Sequence, residues 1–238
     1  MIERHIYNEL FDIVMKRTLW CILLLVCGAT AFAQDKSEDY HVRVIKNDGT
    51  IFEGYNETRF SNYLRPYTTT VSISNEFKGK PIKYNGNEVR RVEFTGETQD
   101  SLPMIFEAVI PQTKLPNLFN KNPKPYKTPV FLRLIYEGKN IKGYAMPYTD
   151  HTMVPGRRII LYTWRYFYLT KKSNIAVAYW DDTDGTIPKM EKVMKFYFRE
   201  FPALQELVDR KEITPEMFRK KPAMVLPIMD RTFQSSNK

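Results

Sequence analysis

Residues 157–180, RRIILYTWRYFYLTKKSNIAVAYW, give way at 190–201 to MEKVMKFYFREF, and the change of apolar period between them decides the fold class. Arg158 to Leu169 and Asn174 to Trp180 are rich in aromatic and β-branched residues, the ordinary content of half-buried strands. Thr170-Lys171-Lys172-Ser173 separates them, so the two runs read as a hairpin. Beyond Trp180, Met190, Val193, Met194, Tyr197, Phe198 and Phe201 recur at three- and four-residue spacing, which is the stripe of an amphipathic helix. Pro202 ends that stripe, and a shorter helix is expected from Ala203 to Arg210 with Leu204, Leu207 and Val208 inward. Thr214-Pro215-Glu216 supplies an N-cap, a first-turn proline and an acid that favours the helix dipole, so a third helix starts there. Pro222 and Pro227 punctuate the remainder, and the tail beyond Met229 is expected to fray.

Upstream the same strand signature recurs. Val42 to Ile45 and Thr50 to Tyr55 flank Asn47-Asp48-Gly49, whose Asp-Gly pair supplies the backbone angles of a tight hairpin turn. Thr68 to Ser74 alternates with period two, Asn85-Gly86 marks a turn, and Val89 to Phe94 is again strand-like. Residues 40–96 are therefore expected to form four or five strands as hairpins or a small barrel. Pro111, Pro116, Pro123, Pro125 and Pro129 then crowd one stretch and interrupt regular structure. Strands resume at Val130 to Tyr136, turn at Glu137-Gly138-Lys139-Asn140, and return through Ile141 to Met146. The class is α+β, antiparallel β-hairpins or a small barrel followed by a C-terminal bundle of about three helices. The expected divisions are a leader at 1–33, a β-rich part at 34–110, a proline-rich connection at 111–129, β-hairpins at 130–180 and a helical segment at 181–238.

The leader reads as a secretory signal peptide. Lys16 and Arg17 precede an apolar run from Leu19 to Val26, and small residues follow as far as Ala33. The run falls short of the roughly 20 residues that a spanning helix needs. Ala31 and Ala33 stand where a signal peptidase requires small side chains, so cleavage is expected between Ala33 and Gln34. Met15-Lys16-Arg17 would make a conventional start, which points to Met15 as the initiator. Cys27 follows Val26 and so departs from the Leu-x-(Gly/Ala/Ser)-Cys pattern of a lipid anchor. The expected location is periplasmic or extracellular, with no transmembrane span in the mature chain. Both cysteines, Cys21 and Cys27, lie in the leader, which excludes disulfide, thiolate and cysteine-metal chemistry after cleavage.

Removing residues 1–33 from the 238 leaves 205, enough for a proper hydrophobic core, and the net charge stays at +9. The excess is dispersed along the chain, and export removes the commonest nucleic-acid partners, so none is expected. Contact with a membrane surface or an acidic glycan is compatible with the charge. Asp181-Asp182-Thr183-Asp184-Gly185, with Glu191 following, resembles a calcium loop when Trp180 is taken as position one. Trp180 cannot coordinate and Pro188 occupies position nine, so the reading is a polar turn that caps the next helix. His41 and His151 are the only mature histidines and have no partner at ligand spacing. The sequence holds no nucleophile elbow and no glycine-rich phosphate loop. No catalytic residue, metal ligand or cofactor is assigned.

Tyr166-Phe-Tyr-Leu-Thr-Lys-Lys172, with Met194 to Lys211 after it, resembles a loose group of uncharacterised exported bacterial proteins. These share a Tyr-Leu-Lys-Lys-like strand, a helix ending in Phe-x-x-(Cys)-Pro-x-Leu and a lysine-bearing turn. Phe201-Pro202-Ala203-Leu204 lacks the cysteine often found there. The resemblance implies a host with a periplasm, a sheet-then-helices layout and no functional residue that can be carried over. The expected function is a non-enzymatic envelope or secreted module that binds an envelope protein or glycan through its β-rich face. The rival expectation is a hydrolase whose site gathers scattered residues such as His151 and the acidic turn.

Overall fold

The computed structural model describes residues 37–57, 67–96, 104–115, 122–154, 157–181 and 190–233. Within these lie ten strands: β1 (His41–Lys46), β2 (Ile51–Asn56), β3 (Thr70–Ser74), β4 (Ile82–Asn85), β5 (Val89–Phe94), β6 (Met104–Pro111), β7 (Val130–Glu137), β8 (Ile141–Val154), β9 (Arg157–Thr170) and β10 (Ile175–Asp181). They pair in the order β10-β9-β8-β7-β6-β5-β1-β2-β3-β4 as one mixed sheet. Four short helices follow: α1 (Met190–Tyr197), α2 (Pro202–Asp209), α3 (Pro215–Lys220) and α4 (Leu226–Thr232). The class is α+β.

Local chemistry sets the first hairpin. Gly49 holds φ at +90°, where a Cβ would be strained, and the Thr50 amide donates to Asp48 Oδ1 at 2.8 Å. The turn fixes the register Ile45↔Ile51 through His41↔Tyr55. β1 pairs on its other side with β5, and β2 continues into β3 and β4. Among the described residues β4 pairs only with β3, so the strands of 40–96 end in an open edge and do not close on themselves. Their buried side chains, Val42, Val44, Val71, Ile73, Val89, Val92 and Phe94, share one core with Met104, Phe106 and Phe131.

β5 pairs with β6, and hydrogen bonding crosses the proline-rich connection where β6 pairs with β7. β10 then reaches back to β6 through a parallel pairing, Ile175↔Ile110 and Ala176↔Pro111. The pairings β6-β7-β8-β9-β10-β6 thus form a circuit. Inside it lie Val109, Val130, Leu132, Tyr144, Met146, Phe167, Ala176 and Ala178, all buried. Alternation along each strand explains the division, because successive side chains point to opposite faces. Phe167 and Ala178 enter this interior, whereas Tyr168 and Tyr179 turn outward toward the helices.

That outward face forms the third core. Tyr168, Tyr179 and Trp180 pack against Met194, Phe198, Phe201, Leu204, Val208, Phe218, Leu226 and Met229. Phe218 meets Trp180 and Phe198 edge-on, with ring centroids 5.0 and 5.4 Å apart. α3 begins as expected, with the Thr214 hydroxyl accepting from the Met217 amide at 3.2 Å and Pro215 in its first turn. As far as Phe233, the last described residue, the tail differs from expectation. Pro227 lies in the first turn of α4, where a missing amide hydrogen costs nothing, and Met229 and Asp230 are buried.

Candidate functional site

At one end of the circuit a cavity of about 420 Å³ opens between β5, β6, β8 and β9, lined by Ile45, Arg90, Arg91, Glu107, Ala108, Val109, Glu137, Lys142, Tyr144 and Leu169. Barrel mouths and similar strand ends are common ligand sites, and this volume falls in the usual range of about 300–1,000 Å³. Register brings the polar groups together. Arg91 on β5 stands opposite Glu107 on β6, and Lys142 on β8 stands opposite Glu137 on β7.

Glu107 is the centre of the network and is only 8 % exposed. One of its carboxylate oxygens accepts from Arg91 at 3.1 Å and from Lys142 Nζ at 2.8 Å. The other accepts from Lys142 Nζ at 3.0 Å and from the Tyr144 hydroxyl at 2.7 Å. Both oxygens are therefore saturated by donors. Glu137 takes a further contact from Lys142 at 3.0 Å and from Arg91 at 3.3 Å, and Arg91 Nε donates to Glu93 at 2.7 Å.

The electrostatics follow from this pairing. Burial alone would lower the Lys142 ammonium, but hydrogen bonds to Glu107 and Glu137 outweigh it and hold the pKa above its ordinary value. Arg91 behaves in the same way. The Lys142 hydrogen bond keeps the Glu137 carboxyl below its usual range. Burial, reinforced by the Glu107 charge, pushes Tyr144 far above the ordinary phenol value. Each shift moves the group further from neutral pH and so reinforces its ordinary state: Lys142 and Arg91 charged, Glu137 ionised and Tyr144 neutral. Arg90 lies on the rim, is exposed, and forms no ion pair among the described residues. It is the cation best placed to meet an acceptor on an incoming ligand.

The residues singled out in the sequence lie elsewhere. Ala33 and Gln34, the expected cleavage pair, are outside the described residues, as are Cys21, Cys27 and the turn from Asp182 to Pro188. Asp181 itself is 2 % exposed and bound to Arg165, whose Nε and Nη2 reach the same carboxylate oxygen at 3.0 and 2.7 Å. Arg165 also donates to the Tyr67 hydroxyl at 2.9 Å and to the Thr113 carbonyl at 3.1 Å. Asp181 is thus committed to an internal ion pair, and no group of three or more metal-ligating side chains occurs among the described residues. His41 begins β1, with Nδ1 at 2.5 Å from the Thr95 hydroxyl and Nε2 at 3.7 Å from Glu53. The backbone of His151 pairs with Ile160 in the β8–β9 ladder, and its side chain is outside the described set.

A second cluster is structural. Asp230 on α4 is buried, and its carboxylate accepts from the amides of Lys139 at 3.1 Å, Asn140 at 2.5 Å and Ile141 at 2.9 Å. Tyr136 adds its hydroxyl at 3.3 Å, and Asn140 Nδ2 donates back to the Asp230 carbonyl at 2.9 Å. Helix α4 therefore clamps the β7–β8 turn. Neither the Asp230 clamp nor the Glu107 network was visible in the sequence, where Glu107 and Lys142 are ordinary members of alternating strands.

The chain matches no family model, no curated protein and no solved structure at a significant level.

Proposed function

We propose that this is an exported envelope or secreted protein that acts as a non-enzymatic binding module, with the cavity between Arg90, Glu107, Lys142 and Leu169 as its ligand site. The signal-like leader with its Ala33–Gln34 junction supports export to the periplasm or beyond. Among the described residues no helix is long and apolar enough to cross a membrane. The observation that carries the binding reading is the saturation of Glu107. A general base or nucleophile needs an available lone pair, whereas this carboxylate accepts four hydrogen bonds from neighbouring side chains. Pre-set donors and one unpaired rim cation suit recognition of a partner's acceptor groups, on an envelope protein or a glycan.

The test places a photoreactive side chain at position 169, inside the cavity, and another at position 82, on the distant β4 edge. The expected outcome is one recurrent envelope component cross-linked from position 169 and not from 82, with yield falling about tenfold when Arg90→Glu reverses the rim charge. Equal cross-linking from both positions, or indifference to Arg90→Glu, removes the cavity from the proposal. The hydrolase alternative predicts instead that purified protein releases soluble products from isolated envelopes. Mass spectrometry of the exported fraction checks the leader, with Gln34 expected as the first residue.

A further inference from the structure

Strand β5 is irregular beside the Glu107 cavity. Its register against β1 runs Val92↔Val44 and Arg91↔Ile45 and then jumps to Val89↔Lys46, so Arg90 is an extra residue with no partner on β1. In a regular strand Val89 and Val92, which differ by an odd number of positions, would face opposite ways. Here both are buried in one core, and the two arginines between them line the cavity together. A β-bulge therefore aims Arg90 at the cavity, where an unbroken strand would have turned it into the apolar core.

From this arrangement we infer that the cavity receives a short peptide segment of another protein, one that presents a carboxylate to Arg90 beside an aliphatic side chain. The inference rests on the reading of the Glu107 cavity as a ligand site and names the chemistry of its ligand.

The carboxylate follows from the pairing of the lining charges. Arg91 is engaged by Glu93, Glu107 and Glu137, and Lys142 by Glu107 and Glu137. Glu107 and Glu137 are thus already met by cations, whereas Arg90 is exposed and forms no ion pair among the described residues. A guanidinium presents paired N–H donors whose fork matches a carboxylate.

The aliphatic side chain follows from the neighbouring surface. Ile45 and Leu169 are half-buried in the cavity lining. Ile45 stands directly opposite Ile51 on β2, which is 51 % exposed, so apolar surface continues from the cavity onto the open face of the first half.

The peptide backbone follows from Glu137. One of its oxygens takes Lys142 at 3.0 Å and the other takes Arg91 at 3.3 Å, and the side chain is 46 % exposed. Each carboxylate oxygen has two acceptor sites, which leaves lone pairs for a ligand's N–H. A plain acyl chain would leave that acceptor unanswered, and a glycan would leave the isoleucine step uncovered. A peptide answers the free cation, the apolar step and the open acceptor together.

The experiment is calorimetry on the exported protein with defined probes: acetyl-Ala-Ala-Leu as the free acid, the same peptide as its C-terminal amide, acetyl-Leu-Glu-Leu amide, and octanoate. At least one of the two carboxylate-bearing peptides is expected to bind in the range of roughly 0.1–1 mM, with the neutral amide about tenfold weaker. Arg90→Ala should weaken binding about tenfold and Ile51→Ser about threefold, and both positions are exposed, so both variants keep the fold. Binding of the free acid assigns the carboxylate to a chain terminus, and binding of the glutamate peptide assigns it to a side chain; either supports the proposal. No binding of either at about 10 mM, equal binding of the neutral amide, octanoate binding as tightly as the peptides, or indifference to Arg90→Ala overturns it. Cross-linking from position 169 that neither acidic peptide displaces sinks the peptide inference while leaving the cavity a ligand site, so the two readings fail separately.

Discussion

The two halves of the sheet keep their stability by different means. Strands β1 to β5 bury one face in a single apolar core, and exposed Ile51 and Ile82 mark how much of the remainder meets solvent. Strands β6 to β10 bury residues on both faces, one inside the strand circuit and the other under the helices for β8 to β10 or against the first half's core for Met104, Phe106 and Phe131. Among the described residues every buried charged side chain, Glu107, Arg165, Asp181 and Asp230, belongs to the second half or its helical cover. Where both faces are covered water cannot compensate a charge, so each must find a protein partner. Where one face is open, pairs such as Arg43 and Glu93, 3.5 Å apart at the surface, are optional.

The largest effect expected from this contrast is at Arg165. Arg165→Ala removes the ion pair of a nearly inaccessible Asp181 carboxylate and the donors to Tyr67 and the Thr113 carbonyl, at a cost of about 3–5 kcal/mol. The matching change in the open half, Arg43→Ala, is expected to cost at most about 1 kcal/mol. Urea unfolding of the two variants measures both. Similar losses would mean that covering the second face does not govern the worth of a charge here.

Asp230 comes next. Asp230→Ala leaves the buried Ile141 amide, the less buried amides of Lys139 and Asn140 and the Tyr136 hydroxyl without this acceptor, for a loss of about 2–3 kcal/mol. The pH dependence has a defined sign. Burial would raise this carboxyl, but the amides of Asn140, Ile141 and Lys139 outweigh burial and hold it below the ordinary value of 3.8. A depressed folded-state pKa contributes stability that is full above 3.8 and is lost as pH falls from there through the folded value. Acid unfolding of the natural chain should therefore steepen below pH 3.8, and the Asp230→Ala variant should lack that component.

Gly138 sharpens the same point with a smaller effect. A Cβ at this position would lie 2.5 Å from the Asp230 carboxyl, so Gly138→Ala must push the clamp aside. The expected loss is about 1–2 kcal/mol, and it should vanish in the Asp230→Ala background because the clash partner is gone. A double-mutant cycle reads this directly. Additive losses would place the role of Gly138 in the turn itself.

What could be read in the sequence divides along the same line. Asp48-Gly49 and Thr214-Pro215 were legible because a turn and a cap are decided within four residues, and both formed as expected. The period change after Trp180 likewise announced strands before helices. Ring-closing contacts between Ile110 and Ile175, and the clamp from Asp230 to Asn140, join residues far apart in sequence, where no local pattern speaks. Pro227 misled because a proline reads as punctuation unless its place in the first turn of a helix is known. Of the candidate site, only the strands were legible. The meeting of Glu107 with Lys142 and Tyr144 depends on register and on closure of the circuit.

The smallest effect on stability tests the open edge. Ile82 on β4 is 54 % exposed, on a strand with one partner among the described residues. Ile82→Lys should change the unfolding free energy by no more than about 0.5 kcal/mol, since little apolar area leaves the core. It should nevertheless alter behaviour in concentrated solution. Unpaired amides and carbonyls along an exposed edge recruit further strands, and a second lysine beside Lys83 opposes that pairing. Light scattering at rising concentration is therefore expected to show weaker self-association for Ile82→Lys at unchanged stability. Were the variant to unfold instead, β4 would be part of the first half's core, and the contrast between an open half and a doubly covered one would have to be redrawn.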